Sequence, residues 1–284
     1  MMQGTIDINA DLGEAWGVYP GPQQVWRANW ERGEKNLAPD DPLTGPDLNS
    51  ILESISSANL ACGFHAGDPF SLKRYIEACL ARGVAIGAHP AYPDSAGFGN
   101  RSMSLCFDDL LAVLQYQIAA LDGLVRMLGG RLNHVKLHGA LYHDAHAKLE
   151  VAEAVGIAVA QYNPELFVFG LPESPLQATC KARGLPFCRE GFPDRAYLPD
   201  GRLQPRSQPE AVIAKPEEVA RRGMAMVVEG RVQTISGSFY ALRVDTLCIH
   251  PDTSKAALAC RWLRRALEAS KISVGAPQRE RTDG

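Results

Sequence analysis

Six residues raise the question of chemistry: Asp11, His65, His89, His138, Glu190 and His250. Each stands where a short apolar run gives way to a polar loop. Imidazoles and carboxylates move protons and bind divalent metals. Gathered round one pocket they suit hydrolysis, with a metal-bound water or with a general base and acid alone. A single such histidine is more often a satisfied structural residue. Four of the seven histidines at equivalent places make that reading hard to hold for the group.

The neighbouring residues add to the set. Asp11-Leu12-Gly13-Glu14 offers two carboxylates around a glycine. Lys136 lies two residues before His138, on the same face of a strand, so its ammonium points inward. A buried ammonium needs a carboxylate or a substrate anion; Asp7 or Asp11 would serve as the former. Gly97-Phe98-Gly99-Asn100-Arg101-Ser102 could hold an anion through Arg101 and loop amides. Arg195 and Arg206 follow Glu190, as substrate contacts or as solvated loop charges. Cys62 is three residues from His65, but a buried core thiol is the simpler reading than a nucleophile.

These residues need elements that bring them together. Apolar runs cover Thr5–Ala10, the stretch ending near Ala61, Val84–Ala88, His134–Leu137, Leu166–Gly170, Pro186–Arg189 and Thr246–Ile249. Helical patterns follow most of them. Asp68 reads as an N-cap with Pro69 at the first helical position, and Gly83 closes that helix. Phe107, Leu110, Leu111, Leu114, Ile118, Leu121, Val125 and Leu128 keep the helical period. Further helices are expected over Ala147–Gln161, from Ser174 to Gly184, from Pro216 to Gly230, and from Thr253 or Ser254 to Ser270.

Strands alternating with helices predict parallel pairing, and about seven units predict a single-domain (β/α) barrel spanning 1–284. A doubly wound open sheet is the alternative, weakened because no dinucleotide fingerprint follows the first strand. In a barrel the strand ends converge on one face, where active sites are built. Residues 18–49, rich in proline and tryptophan, read as an insertion over that rim, and 275–284 as a flexible tail.

Composition narrows the class. Net charge is −3, from 29 basic and 32 acidic residues. That argues against nucleic acid or an anionic membrane as partner. Seven scattered cysteines without a C-x-x-C pair predict reduced thiols in a cytoplasmic protein. No secretory signal is read in Met1–Ile6, and no stretch reads as a membrane span. No P-loop is present.

Specific motifs run through the chain: DINADLGE (7–14), SANLACGFHAGDP (57–69), GVAIGAHPAYPD with GFGNRSM (83–103), LQYQIAALDG (114–123) and HVKLHGALY (134–142). FPDRAYLPDGRLQPRSQPEAVI (192–213) and DTLCIH (245–250) follow in order. Together they resemble the family of 5-oxoprolinase A subunits, the lactam-utilisation (LamB/YcsF) family. Leu137 stands where that family usually has proline, and Pro251 where it usually has glycine.

The resemblance implies a seven-stranded barrel similar to the glycoside hydrolase and deacetylase barrels. It implies ATP-dependent opening of 5-oxoproline, or a related lactam, to L-glutamate, with 5-oxoprolinase subunits B and C handling ATP. It makes Asp11, His65, Lys136 and His138 the expected catalytic residues: Asp11 a base or water orienter, the histidines proton-transfer groups, Lys136 a stabiliser of oxyanion or phosphate. Asn9, Glu14, Asp68, His89, Arg101, Glu190, Arg195 and His250 form the expected substrate-binding set. Two other readings stay open. One is a stand-alone deacetylase-like hydrolase using a divalent metal on Asp11, His65 and His89. The other is a non-catalytic subunit that binds a lactam and presents it to partners.

Overall fold

The computed structural model describes residues 4–14, 46–252 and 255–279. Most of the expected insertion over 18–49 therefore lies outside the described residues, as do Thr253, Ser254 and 280–284. Seven strands close into a parallel barrel: β1 (Thr5–Leu12), β2 (Ser57–Ala61), β3 (Ala85–His89), β4 (Leu132–Lys136), β5 (Phe167–Gly170), β6 (Phe187–Gly191) and β9 (Thr246–Cys248). Closure is direct, because β9 pairs with both β6 and β1. The expected seven-stranded barrel is what the chain forms.

The polarity of β1 shows how the barrel is built. Ile6, Ile8, Ala10 and Leu12 alternate with Asp7, Asn9 and Asp11, and all seven are buried. A strand puts alternate side chains on opposite faces. The apolar set joins the core between strands and helices. The polar set meets polar residues on and beside the other strands: Asp7 meets Ser56, Ser57 and Thr246, and Asn9 meets Asn59 and Glu190. The lumen is thus polar and the shell around it apolar.

Helices cover the outside: α1 (Pro46–Leu52), α2 (Pro69–Leu80), α3 (Phe107–Met127), α4 (Gly139–Ala147), α5 (Leu149–Tyr162), α6 (Pro175–Ala182), α7 (Pro216–Met224) and α8 (Ala256–Ala269). Asp68 caps α2 as expected, accepting from Phe70 N and Ser71 N. In α3, Leu110, Leu114, Ile118, Leu121 and Val125 are buried at steps of three and four. Burying each large aliphatic side chain contributes about 1.5–3 kcal/mol. One expectation needs correcting here. At 21 residues and a mean hydropathy of 1.2 over its apolar window, α3 is long and apolar enough to cross a membrane. Its apolar stripe instead packs on β3, β4 and α5.

Three elements differ from the sequence expectation. The segment Gly139–Ala147, for which the sequence predicts no element ahead of the helix expected from Ala147, is a helix of its own immediately after His138. The sequence 231–241 forms an antiparallel hairpin of β7 (Arg231–Gln233) and β8 (Phe239–Ala241). A short β10 (Ser273–Val274) pairs with the start of β1. Beyond it, the expected flexible tail is held in its described part: Gly275 N donates to Ile6 O, and Arg279 donates to Pro164 O.

Candidate active site

Strand ends bring the chemistry together at the carboxyl end of the barrel. Asp11, Glu14, His89, Lys136, His138, Arg195 and His250 all line one pocket there, with Phe98, Asn100, Tyr142, His143, Phe192 and Arg206. Asn9 and Glu190 lie beneath it in the lumen, fully buried.

Lys136 occupies the centre. Its Nζ donates to Asp11 Oδ1 at 2.7 Å and to Cys248 Sγ at 2.9 Å, and lies 3.3 Å from Glu190 Oε1. Burial would lower the ammonium's pKa, but the charges of Asp11 and Glu190 raise it well above the ordinary value. Asp11 shows the converse. Burial would raise its carboxyl, yet His89, Lys136 and His250 bring it well below the ordinary value. Such a carboxylate is a poor base and a good counter-ion. Asn59 Nδ2 also donates to Asp11 Oδ1, at 2.8 Å. Glu190 is fixed from two sides, by Asn9 Nδ2 at 3.0 Å and by the Tyr142 hydroxyl at 2.9 Å.

Beside this charged centre stands a histidine group around Glu14. Glu14 Oε1 lies 2.9 Å from His138 Nδ1, 3.3 Å from His65 Nε2 and 3.5 Å from His89 Nε2. The His65 and His138 rings stack with centroids 3.8 Å apart. Burial lowers His65 to about 4, so its ring is neutral at neutral pH. Burial would raise the Glu14 carboxyl, but the three imidazoles around it hold it well below its ordinary range. The glycine-rich loop closes over the group. Gly99, at φ +68°, has no room for a Cβ, which would meet His138 at 2.8 Å.

His250 is held separately. Its Nδ1 donates to Asp194 Oδ2 at 2.8 Å, and its backbone N donates to the same oxygen at 2.9 Å. Its Nε2 is left facing Asp11 Oδ2 at 3.8 Å. A histidine oriented by a buried carboxylate, with its other nitrogen turned to a pocket, is built to accept a proton. Burial would raise Asp194, but the adjoining His250 lowers it.

Two expected residues are placed elsewhere. Arg101 turns to Asp94 and its side chain is 66% exposed, outside the pocket lining. Asp68 spends its carboxylate on the first turn of α2 and on the Ser71 hydroxyl. The metal reading on Asp11, His65 and His89 also divides. Among the described residues, two groups have ligand atoms that converge: Glu14 with His65, His89 and His138, and Asp11 with Cys248 and His250. Cys62 is a core thiol, pushed up to about 12 by burial.

Sequence reasoning missed Asp194, Asn59, Tyr142 and Cys248. Asn59 carried a signal: a polar residue inside an apolar run, in step with Ser57. Asp194 and Tyr142 lay in the quoted motifs FPDRAYLP and HGALY, but their partners come from other strands. His134, inward on β4, is a lumen residue. Its Nε2 donates to Asn59 Oδ1 at 2.7 Å, and a Cβ at Gly87 would collide with its ring.

With that geometry in hand, comparison with known proteins decides the family. The LamB/YcsF family model matches residues 43–282. The chain belongs to this family. Its members include the 5-oxoprolinase A subunit of Methylococcus capsulatus, 42% identical over 275 residues, covering 97% of this chain and 96% of that one. The 5-oxoprolinase A subunit of Thermus thermophilus is 40% identical over 271 residues, covering 95% and 99%. A crystal structure of the lactam utilization protein from Thermus thermophilus superposes with a TM-score of 0.81 at 40% identity, covering 96% of this chain and all of that one. The resemblance read from the motifs is borne out at the level of the family.

Proposed function

We propose that this chain is the ring-opening subunit of an ATP-dependent 5-oxoprolinase, converting 5-oxoproline to L-glutamate with subunits B and C that use ATP. The observation that carries this reading is the buried Asp11–Lys136–Glu190 centre, open to a pocket, in a chain matching 5-oxoprolinase A subunits along nearly their whole length. Seven unpaired thiols suit the reducing cytoplasm as its place of action.

An unstrained lactam is resonance-stabilised and opens slowly. A phosphoryl group placed on its oxygen by the partner subunits makes the carbonyl carbon a better electrophile. Water then adds to that carbon, the carbon–nitrogen bond breaks, and the ring nitrogen takes a proton. A second water releases phosphate from the resulting acyl phosphate. Lys136 faces the charge that develops on oxygen. Its three protons point to Asp11, Cys248 and Glu190, so a substrate oxygen reaches it by replacing the weak thiol acceptor. Asp11 orients Lys136 and the attacking water. His250, steered by Asp194, takes the water's proton and returns it to the leaving nitrogen. Arg195, only 3% exposed and with no carboxylate against its guanidinium in the described residues, offers a counter-charge to the substrate carboxylate. This assignment moves proton transfer from His65 and His138 to His250, and anion binding from Arg101 to Arg195.

The test is reconstitution. The chain, family-type B and C subunits, ATP and 5-oxoproline are combined, and glutamate and phosphate are followed with each component omitted in turn. Glutamate formed only by the complete mixture, and lost in Asp11→Asn, is the expected result. Phosphate release with no glutamate in the complete mixture would falsify the ring-opening role.

A further inference from the structure

The hydrogen bonds of the Glu14 group fix where its histidine protons are. His89 Nδ1 lies 2.8 Å from the Lys136 carbonyl oxygen, and His138 Nε2 lies 2.9 Å from that of Phe98. A carbonyl only accepts, so both of those nitrogens carry hydrogen. The remaining nitrogens, His89 Nε2 and His138 Nδ1, face each other at 3.1 Å with lone pairs directed inward. Glu14 Oε1 brings a third acceptor to the same point, 2.9 Å from one and 3.5 Å from the other. His65 is fully buried, its Nδ1 has no partner among the described residues, and its Nε2 faces the same carboxylate at 3.3 Å. Acceptors crowded this way repel unless a cation lies among them.

We propose that Glu14, His65, His89 and His138 form a binding site for one divalent transition-metal ion of the Zn²⁺ or Co²⁺ type. Ligands at about 2.0–2.1 Å from a tetrahedral ion lie about 3.3 Å from one another. Four of the six ligand–ligand separations are 2.9 to 3.5 Å, around that edge length, and all four ligand atoms lie within 4.8 Å of one another. Three imidazoles and one carboxylate select such ions over Mg²⁺ or Ca²⁺, which prefer oxygen. The carbonyls of Lys136 and Phe98 play the part that outer partners play in histidine metal sites, setting tautomer and ring orientation. Phe98 holds a left-handed backbone, φ 54° and ψ 35°, that is unusual for a bulky residue. That conformation aims its carbonyl at His138.

The experiment uses the full chain, freed of metal by chelator and titrated with Co²⁺, then Zn²⁺. One Co²⁺ per chain is expected, with visible d–d absorption of tetrahedral strength that Zn²⁺ abolishes. Affinity is expected to fall at least tenfold in Glu14→Gln and in His138→Gln, with near-UV circular dichroism confirming the fold. Should His138→Gln misfold, the Co²⁺-loaded wild type supplies a second reading. Three exchangeable imidazole N–H protons are expected among its hyperfine-shifted NMR signals. Absence of Co²⁺ and Zn²⁺ binding overturns the proposal and leaves a shared proton as the cation. A thiolate charge-transfer band lost in Cys248→Ser overturns it in favour of the Asp11–Cys248–His250 group. Unchanged affinity in both Glu14→Gln and His138→Gln, or fewer than three imidazole signals, overturns the ligand set. Binding is read without ATP, lactam or partner subunits, so its failure and a failure of the proposed function are separate results.

Discussion

The barrel lumen holds two polar layers that follow opposite rules. In the lower layer, the Asp7 carboxylate accepts from the hydroxyls of Ser56, Ser57 and Thr246 at 2.6, 2.7 and 2.5 Å. Its donors are neutral, and burial lifts its pKa from 3.8 to about 6. In the upper layer, Lys136, Asp11, Glu190 and Glu14 carry charge among three imidazoles. Both layers are largely buried. The lower one is saturated by its own hydrogen bonds and has nothing left to offer a ligand. The upper one has lone pairs without donors and an ammonium with one weak acceptor. Burial alone therefore does not mark a site; unsatisfied bonding capacity next to a pocket does.

Breaking the upper layer gives the largest effect. Lys136→Met leaves two carboxylates buried without their cation, and removing one partner of a buried pair typically costs about 3–5 kcal/mol. Urea titration should show that loss, and reconstituted turnover should fall below detection. Wild-type turnover in Lys136→Met would remove the centre from the mechanism.

His250→Asn separates chemistry from stability. General acid–base catalysis contributes about 10²–10⁴-fold, so turnover should drop by that order while the melting temperature hardly moves. Asp194→Asn should lower turnover less and shift its pH profile, because it acts through His250. Equal melting losses in both variants, with turnover intact, would make the pair structural.

The lower layer is probed through pH. The folded pKa of Asp7, about 6, lies above its unfolded value of 3.8. Its contribution to stability is therefore largest at low pH, and shrinks as pH rises from 3.8 through 6. Asp7→Asn removes that dependence. Between pH 5 and pH 7 the variant should gain about 1.4 kcal/mol relative to the parent, since one pKa unit is worth that much. A constant difference between the two proteins across this window would contradict the assignment. Turnover should persist.

The smallest effect is expected at Arg101→Ala. Its partner is Asp94 and its side chain is mostly exposed, so stability should hardly change. Turnover should stay within about twofold. A tenfold drop would return Arg101 to anion binding.

Much of this was legible in the sequence for a physical reason. Parallel strands deliver their carboxyl ends to one rim, so a residue type repeated at strand ends predicts its own convergence. Asp11, His89, Lys136, His138 and His250 were found that way. Partner choice was not legible. Arg101 and Asp94 are seven residues apart, yet nothing in their types says the loop folds them together rather than turning Arg101 inward. Asp194 reaches His250 across 56 residues. Helix α4 escaped because Gly139-Ala140-Leu141-Tyr142-His143 faces the pocket with its polar side and the core with the rest, blurring the helical period. The β7–β8 hairpin is too short for its alternation to stand out.

The pairing of β1 with β9 has a consequence for how the protein comes into being. Asp7 and Thr246 are 239 residues apart in the chain. Contacts of such separation form late, after much chain entropy has been lost. During synthesis, β1 leaves the ribosome long before the strand that must lie beside it. Until β9 arrives, the sheet has two open edges and its lumen is wet. Lys136, Asp11 and Glu190 can then stay hydrated, and the penalty of drying them falls on the final closure. Closure by β9 is therefore what completes the centre with Cys248 and His250. A chain truncated before β9 would keep six of the seven barrel strands and lose Cys248 and His250.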